Sequence, residues 1–399
     1  MTRYLIVGGG IIGLTLAREI VKRKLGRVEI LEKEPAPGLH ASGRNSGVLH
    51  AGIYYSPDSL KARFCLRGNL ALREYCREHG LPLAENRKVI VAADTEQLPV
   101  LDELHRRAKA NGADVDMLDE KELLEVEPHA RTMERALLSR LTAAVSPGAV
   151  VNRLKQELEQ SDRASFTGDA TFRGLKDKRT ARTTRGDFSF DFFINAGGAY
   201  ADRIARAFEL GENYRLIPFR GSYRKLRSEK AHLVRGNIYP VPDIRNPFLG
   251  VHLSRSVDGA VYAGPTATPA LGREHYSGLR GAGLLGEDGE AARILYMDAV
   301  LFLRNPKFRA NAFAEIRKYL GRAFYRDASR LVRGLEPGDL TASKKAGIRP
   351  QLVDWKNKEL VMDFLVERGE HSLHILNAIS PAFTSSFAFA AHLANEYLV

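Results

Sequence analysis

The chain has 399 residues, 44% of them apolar and 27% charged, which fits a folded globular protein and excludes disordered, collagenous and coiled-coil classes. That length exceeds one ordinary hydrophobic core, so two domains are expected, and no run approaches the roughly 18 apolar residues of a membrane span. The balance of 60 Lys+Arg against 48 Asp+Glu gives +12, a surplus that favours an anionic partner: nucleic acid, an anionic membrane surface, or a small carboxylate or phosphate.

Arg3 and the apolar residues after it imitate a secretory leader, but Gly8-Gly9-Gly10 breaks the run. A buried strand over 4–7 is therefore predicted, with no cleaved targeting segment. Helical spacing of Ile12, Leu16, Ile20 and Val21 predicts a helix over 11–24, and 28–31 reads as the next strand. Ser56-Pro57 predicts a capped helix running to His79. It carries Cys65 and Cys76, which match no disulfide or zinc pattern, and no metal is expected. Further helices are predicted over 97–110 and after Asp119, where Glu122 completes a capping box. Strands over 164–175, 180–184 and 188–194 and a helix over 200–210 lead into a strand-rich block at 219–226, 237–241, 248–254 and 260–264. An aromatic and basic helical stretch over 294–325, divided at Pro306, precedes strands at 360–366 and 373–379 and a last helix over 385–398. The alternation predicts an α/β fold: a discontinuous Rossmann-like cofactor domain of 1–85, 145–215 and 340–399, and an antiparallel-sheet substrate domain of 86–144 and 216–339.

The most informative local pattern is Gly8-x-Gly10-x-x-Gly13, which follows a strand, opens a helix at Ile11-Ile12, and precedes Glu32 by 19 residues. Its glycines let backbone N–H groups approach a pyrophosphate at the helix N-terminus, and the carboxylate can accept both ribose hydroxyls of an adenosine. After Glu32-Lys33 comes a glycine- and serine-rich loop with Arg44, Asn45, Ser46 and Gly47, a composition that suits FAD.

The runs Asn45-Ser46-Gly47-Val48-Leu49-His50-Ala51-Gly52-Ile53-Tyr54-Tyr55, Ser59-Leu60-Lys61-Ala62-Arg63-Phe64-Cys65, Pro218-Phe219-Arg220-Gly221-Ser222-Tyr223, Tyr239-Pro240-Val241-Pro242-Asp243, Pro247-Phe248-Leu249-Gly250-Val251-His252 and Asn377 to Ser385 cover nearly the whole chain. On them the sequence resembles the L-2-hydroxyglutarate oxidase/dehydrogenase family, within the D-amino-acid-oxidase-like superfamily of FAD-dependent oxidoreductases. Arg44 departs from the histidine of that pattern.

The resemblance implies oxidation of an L-2-hydroxy acid to a 2-oxo acid, with hydride passing to the flavin while a base takes the hydroxyl proton. It implies His50 or His252 as base, Tyr54 or Tyr55 as a hydroxyl donor, and Arg220 and Arg349 as forks for a dicarboxylate. Arg349, in Gly347-Ile348-Arg349-Pro350, would face the flavin together with Phe172, Ala196, Gly197 and the tail Ser380, Pro381, Ala382, Phe383 and Thr384. Oxidation of an amino acid or of glycerol 3-phosphate is the alternative within the superfamily. An RNA-modifying flavoprotein would explain the basic stretch 215–235 with Tyr214, Phe219 and Tyr223, but the family-like run already accounts for it, and nucleic acid is not expected.

Oxygen, a quinone or a carrier protein stay open as electron acceptor. The expected location is the cytoplasm, with peripheral contact at the inner face of a membrane as an option. That option rests on Leu295, Val300, Leu301, Leu303, Phe308, Phe313, Ile316 and Leu320, interspersed with Arg293, Arg304, Lys307, Arg309, Arg317 and Lys318. Ordinary packing of this helical stretch against the substrate domain is the preferred reading.

Overall fold

The computed structural model describes residues 1–243, 249–277, 289–316 and 321–398. Pro247, Phe248, Arg317, Lys318 and Leu320, singled out above, lie outside the described residues. Strand β1 (Thr2–Val7) ends in four buried residues. Helix α1 (Ile11–Lys22) turns Ile12, Leu16 and Ile20 inward, as the 3.6-residue spacing requires. Strand β2 (Gly26–Leu31) runs parallel to β1 in register from Thr2 with Gly26 to Val7 with Leu31.

Around this unit stands a six-stranded sheet in the order Leu365–Arg368, Ser372–Asn377, Phe192–Asn195, β1, β2, Ala164–Thr167. Its first pair is antiparallel and the others parallel. Helices α1, α2 (Leu60–Glu78), Pro147–Glu159 and the C-terminal Ala382–Tyr397 share one core with it, in which Ile6, Leu14, Leu72, Leu154 and Leu393 are fully buried. Each such side chain contributes about 1.5–3 kcal/mol over its exposed state.

Helix α2 starts three residues later than the Ser56-Pro57 signal suggests. Ser59 is the cap, its Oγ accepting from the Ala62 amide at 3.1 Å, and the Asp363 carboxylate accepts the amides of Leu60 and Lys61. An acid at a helix start complements both the orphan donors and the helix dipole. The capping box at Asp119 and Glu122 forms as predicted.

Two expected strands each divide. The stretch 164–175 breaks at Asp169, whose φ of 56° turns the chain. Ala164–Thr167 joins the parallel sheet, while Phe172–Asp177 joins a three-stranded antiparallel sheet with Thr180–Thr183 and Gly186–Ser189. The stretch 188–194 divides between the same two sheets.

The other layer, among the described residues, is a ten-stranded, mostly antiparallel sheet. It contains β3 (Lys88–Val91), β4 (Tyr214–Leu226), β5 (Asn237–Pro240), β6 (His252–Arg255) and β7 (Leu340–Asp354). Strands β4 and β7 pair from Tyr214 with Asp354 to Leu226 with Leu340. Residues 340–354, expected with the cofactor domain, therefore belong to this sheet, and the chain returns to the parallel sheet only afterwards. The expected helical stretch 294–325 appears as Glu290–Arg304, Pro306–Ile316 and Gly321–Ser329, divided at Pro306 because proline cannot supply the helix amide. Among the described residues no helix is long and apolar enough to cross a membrane.

Candidate active site

A cavity of about 950 Å³ lies between the two layers, at the upper end of the range for ligand sites. The first βα turn forms one part of its wall. Gly8 has φ of 117°, and a methyl group there would come within 2.3 Å of the Ala196 carbonyl oxygen. Gly13 does not line the cavity; a methyl on it would stand 2.0 Å from the Gly8 carbonyl oxygen, so its bareness is what lets α1 press against the turn. Gly10 caps α1 without a side chain, and the Ile11 amide donates to Ser42 Oγ at 2.9 Å.

Glu32, directly after β2, is buried and accepts from the amides of Gly9 at 2.8 Å and Glu34 at 3.0 Å. Burial raises its carboxyl above the usual range, and the two amides pull it back down. Each oxygen keeps a second lone pair, so the group can still accept ribose hydroxyls. Gly8, Gly10, Ile11, Ile12, Glu32, Lys33, Arg44, Asn45, Ser46, Phe172, Ala196, Gly197, Gly347 and Ser380 to Thr384 all line the cavity. Gly47 is not among the lining residues. Its amide donates to Asn45 Oδ1 at 2.8 Å, and it serves the turn with φ of 79°. Bare backbone at the turn, a helix start whose N-cap residue has no side chain and a doubly held acid together fit FAD.

Lys33 pairs with Glu274 at 2.6 Å and with Glu34, while His40 lies 2.9 Å from Glu34 and 2.6 Å from the Tyr276 hydroxyl. This network joins the loop after β2 to residues 274–276. Glu34, His40 and Glu274 could together surround a cation, but the Lys33 ammonium already bridges the two acids.

His50, His252 and Arg349 converge on the same cavity. His50 follows the strand Val48–Leu49, and its backbone amide donates to Thr384 Oγ1 at 3.2 Å. Burial first, then the charges of Lys88, His252 and Arg349, pulls its ring well below the ordinary histidine range, so it is neutral. His252 opens β6, and its ring stacks on Tyr239 with centroids 3.8 Å apart and planes 20° apart.

Arg220 is elsewhere. Period-two alternation along β4 turns Phe219, Gly221 and Tyr223 to the cavity, and Arg220 Nε donates to the Tyr276 carbonyl at 2.7 Å. Of the two expected forks, only Arg349 lines the cavity. Tyr54 and Tyr55 are likewise outside the lining set, packed behind it. Tyr55 contacts Ser380 through its hydroxyl, and burial raises both phenols well above their usual range.

Three buried residues were not singled out as site residues. Lys88, 1% exposed, places its Nζ 3.3 Å from His50 Nδ1 and over the rings of Tyr239 and Tyr54 at 4.2 and 5.1 Å. Lys61, pulled by burial to about 8, lies 6.0 Å from the Tyr55 ring. Tyr223, pushed by burial to about 12, lines the cavity. The available signal was weak: Lys88 opens an otherwise apolar run, Lys88-Val89-Ile90-Val91, which reads as a solvated strand end.

A family model described as FAD dependent oxidoreductase matches residues 3–396. The mitochondrial L-2-hydroxyglutarate dehydrogenase of Nematostella vectensis is 37% identical, covering 98% of this chain and 89% of that protein. Its Caenorhabditis elegans counterpart is 35% identical, with 98% and 92% covered. Among solved structures, the dithionite-reduced L-alpha-glycerophosphate oxidase of Mycoplasma pneumoniae with FAD bound superposes with a TM-score of 0.74 at 22% identity, over 98% of this chain and 94% of that one. That likeness shows the shared fold.

Proposed function

The chain belongs to the family of FAD-dependent oxidoreductases, and we propose that it oxidises a dicarboxylic L-2-hydroxy acid, L-2-hydroxyglutarate, to 2-oxoglutarate. The observation that carries this reading is the presence of both His252 and Arg349 on the wall of the cavity that the Gly8 to Ile12 turn and Glu32 also line. Bound FAD supplies the acceptor for the α-hydrogen and its electron pair.

His252 takes the hydroxyl proton. Its Nδ1 lies 2.9 Å from the Gly250 carbonyl oxygen. A carbonyl only accepts, so Nδ1 carries the ring proton and the lone pair is on Nε2. The Tyr239 ring stacked beside it holds the imidazole plane. Arg349 grips a carboxylate; burial lowers its affinity for its proton, and a bound anion offsets that cost.

Anaerobic addition of single acids to the FAD-loaded protein is expected to bleach the flavin band with L-2-hydroxyglutarate, and not with amino acids or glycerol 3-phosphate. Bleaching by one of the latter alone would move the assignment to that substrate. Arg349→Lys is expected to raise KM by about one to two decades, because a charge-assisted hydrogen bond is worth about 1.5–3 kcal/mol and lysine lacks the planar fork. An unchanged KM would remove Arg349 from carboxylate binding.

We also propose peripheral contact with an anionic membrane. Leu301 and Phe308 pack with Phe219 and Val353, as the preferred packing reading expects, which takes both out of any membrane-facing set. Tyr296, Leu303 and Phe313 are 64, 72 and 60% exposed, beside Arg293, Arg304 and Lys307. Tyr296 and Leu303 stand seven residues apart on one helix face, an apolar and basic combination suited to a headgroup layer. Cosedimentation with vesicles containing phosphatidylserine, lost in high salt and in Leu303→Ser with Phe313→Ser, is the expected result. No sedimentation at low salt would leave these residues as ordinary surface.

A further inference from the structure

A lysine in the protein interior is normally paired with an acid, since desolvating an ammonium is costly. Lys88 is fully buried at the start of β3, and among the described residues no carboxylate pairs with it. Its surroundings are two tyrosine rings and one nitrogen of His50. The titratable and charged groups facing this pair are Tyr54 and Tyr55 from the loop after His50, Lys61 and Cys65 from α2, and Tyr223, Tyr239, His252 and Arg349 from β4, β5, β6 and β7. No acid is among them, so the pair is not held in place by a counter-charge.

An ammonium has three donors and no acceptor. With its Nζ 3.3 Å from His50 Nδ1, a protonated Lys88 can only donate there, so Nδ1 must accept and the ring proton must sit on Nε2. His252 has the opposite arrangement, imposed by the Gly250 carbonyl. The two histidines on one cavity wall are thereby given complementary roles. We infer that Lys88 is a positioning residue that fixes the tautomer of His50, making it a hydrogen-bond donor into the cavity opposite the acceptor at His252. His50 then donates to a substrate oxygen, either a carboxylate or the carbonyl that oxidation creates. The consequence for rate rests on the proposed hydroxy-acid oxidation; the tautomer does not.

Burial pulls Lys88 to about 7. Once the ammonium loses its proton, the amine can accept as well as donate, and the tautomer of His50 is released. The test is ¹⁵N NMR of histidine-labelled, FAD-loaded protein, with His50→Gln used to assign the His50 signals. Below pH 7 the wild type should show a pyridine-type Nδ1 and a pyrrole-type Nε2 for His50, becoming a tautomer mixture as pH rises. Lys88→Met should show the mixture at every pH, and Lys88→Arg should keep the locked form into the alkaline range.

Flavin reduction at pH 6.5 should fall about one hundredfold in Lys88→Met, the scale of assistance from one positioned proton donor, with a smaller change in KM. Recovery in Lys88→Arg would accompany loss of the alkaline limb. A pyrrole-type Nδ1 in the wild type, or an unchanged tautomer in Lys88→Met, overturns the inference. Should either variant fail to fold, the wild-type pH series decides alone. Because the spectrum is read without substrate, a different substrate would not disturb it.

Discussion

Gly13→Val is expected to give a folded but colourless protein. The hydrogen that glycine presents at this position faces the Gly8 carbonyl oxygen, and a Cβ would stand only 2.0 Å from it. Real contacts never approach that closely, so the start of α1 must move away from β1. That motion withdraws the helix N-terminus from the pyrophosphate, and FAD binding depends on those amides and on the helix dipole together. Valine adds two methyls beyond the Cβ, so side-chain rotation cannot relieve the clash. A loss of at least about two decades in FAD affinity is expected, since several charge-assisted hydrogen bonds of about 1.5–3 kcal/mol each lose their geometry.

Glu32→Ala separates this effect from general misfolding, because it leaves the packing of α1 on β1 alone. It removes the acceptor of two buried amides, costing about 1–3 kcal/mol for each left unpaired, and it removes the ribose acceptor as well. Flavin absorbance per mole of purified protein, read beside far-ultraviolet circular dichroism, checks both variants. Full flavin occupancy in both would mean that the N-terminal turn does not hold the cofactor.

What could be read in advance divides by the range of the interactions involved. The β1–α1–β2 unit was legible because turn, helix period and terminal acid lie within about 30 residues of one another, the size of a βαβ unit. The Asp119 and Glu122 box was legible because both of its hydrogen bonds span three residues. The break at Asp169 was readable in principle: Gly168-Asp169 is a turn signal, overlooked inside the period-two alternation of Ala164, Phe166, Ala170 and Phe172, which looked continuous.

Arg220 shows a different failure. It was singled out for its guanidinium fork, but alternation with Phe219 and Gly221 already set it on the other side of the strand. The long pairing of β4 with β7 joins residues more than a hundred positions apart, and no local pattern announces where residues 340–354 will pair. Lys88 was illegible for the same reason. Its burial is created by His50 and Tyr54 from one stretch of chain and Tyr239 from another, far from it in sequence.

Lys88→Met is expected to stabilise the protein while impairing it. Burial holds the ammonium at about 7 in the fold against an ordinary 10.5. At 1.36 kcal/mol per unit this corresponds to about 5 kcal/mol of folding stability forgone wherever the lysine is charged in the unfolded chain and in the fold. The sign follows from proton counting. Between pH 7 and 10.5 the unfolded chain binds the proton and the fold does not, so the stability of the wild type climbs with pH across that window. Below pH 7 both states are charged and the full cost persists.

Methionine has a similar unbranched length and no charge to desolvate, and its sulfur sits well beside the rings of Tyr54 and Tyr239. The lost bond to His50 and imperfect packing offset part of the gain. A net stabilisation of about 1–4 kcal/mol at pH 6.5 is therefore expected, the range seen when buried charges are replaced by apolar side chains. Urea midpoints at saturating FAD should be higher for Lys88→Met at pH 6.5 and converge with the wild type by pH 10. A variant less stable than the wild type at pH 6.5, with the same pH dependence, would show that the buried ammonium is compensated in the fold. A stabilised and slow variant would show instead that this fold tolerates an unpaired charge because the orientation of His50 requires it.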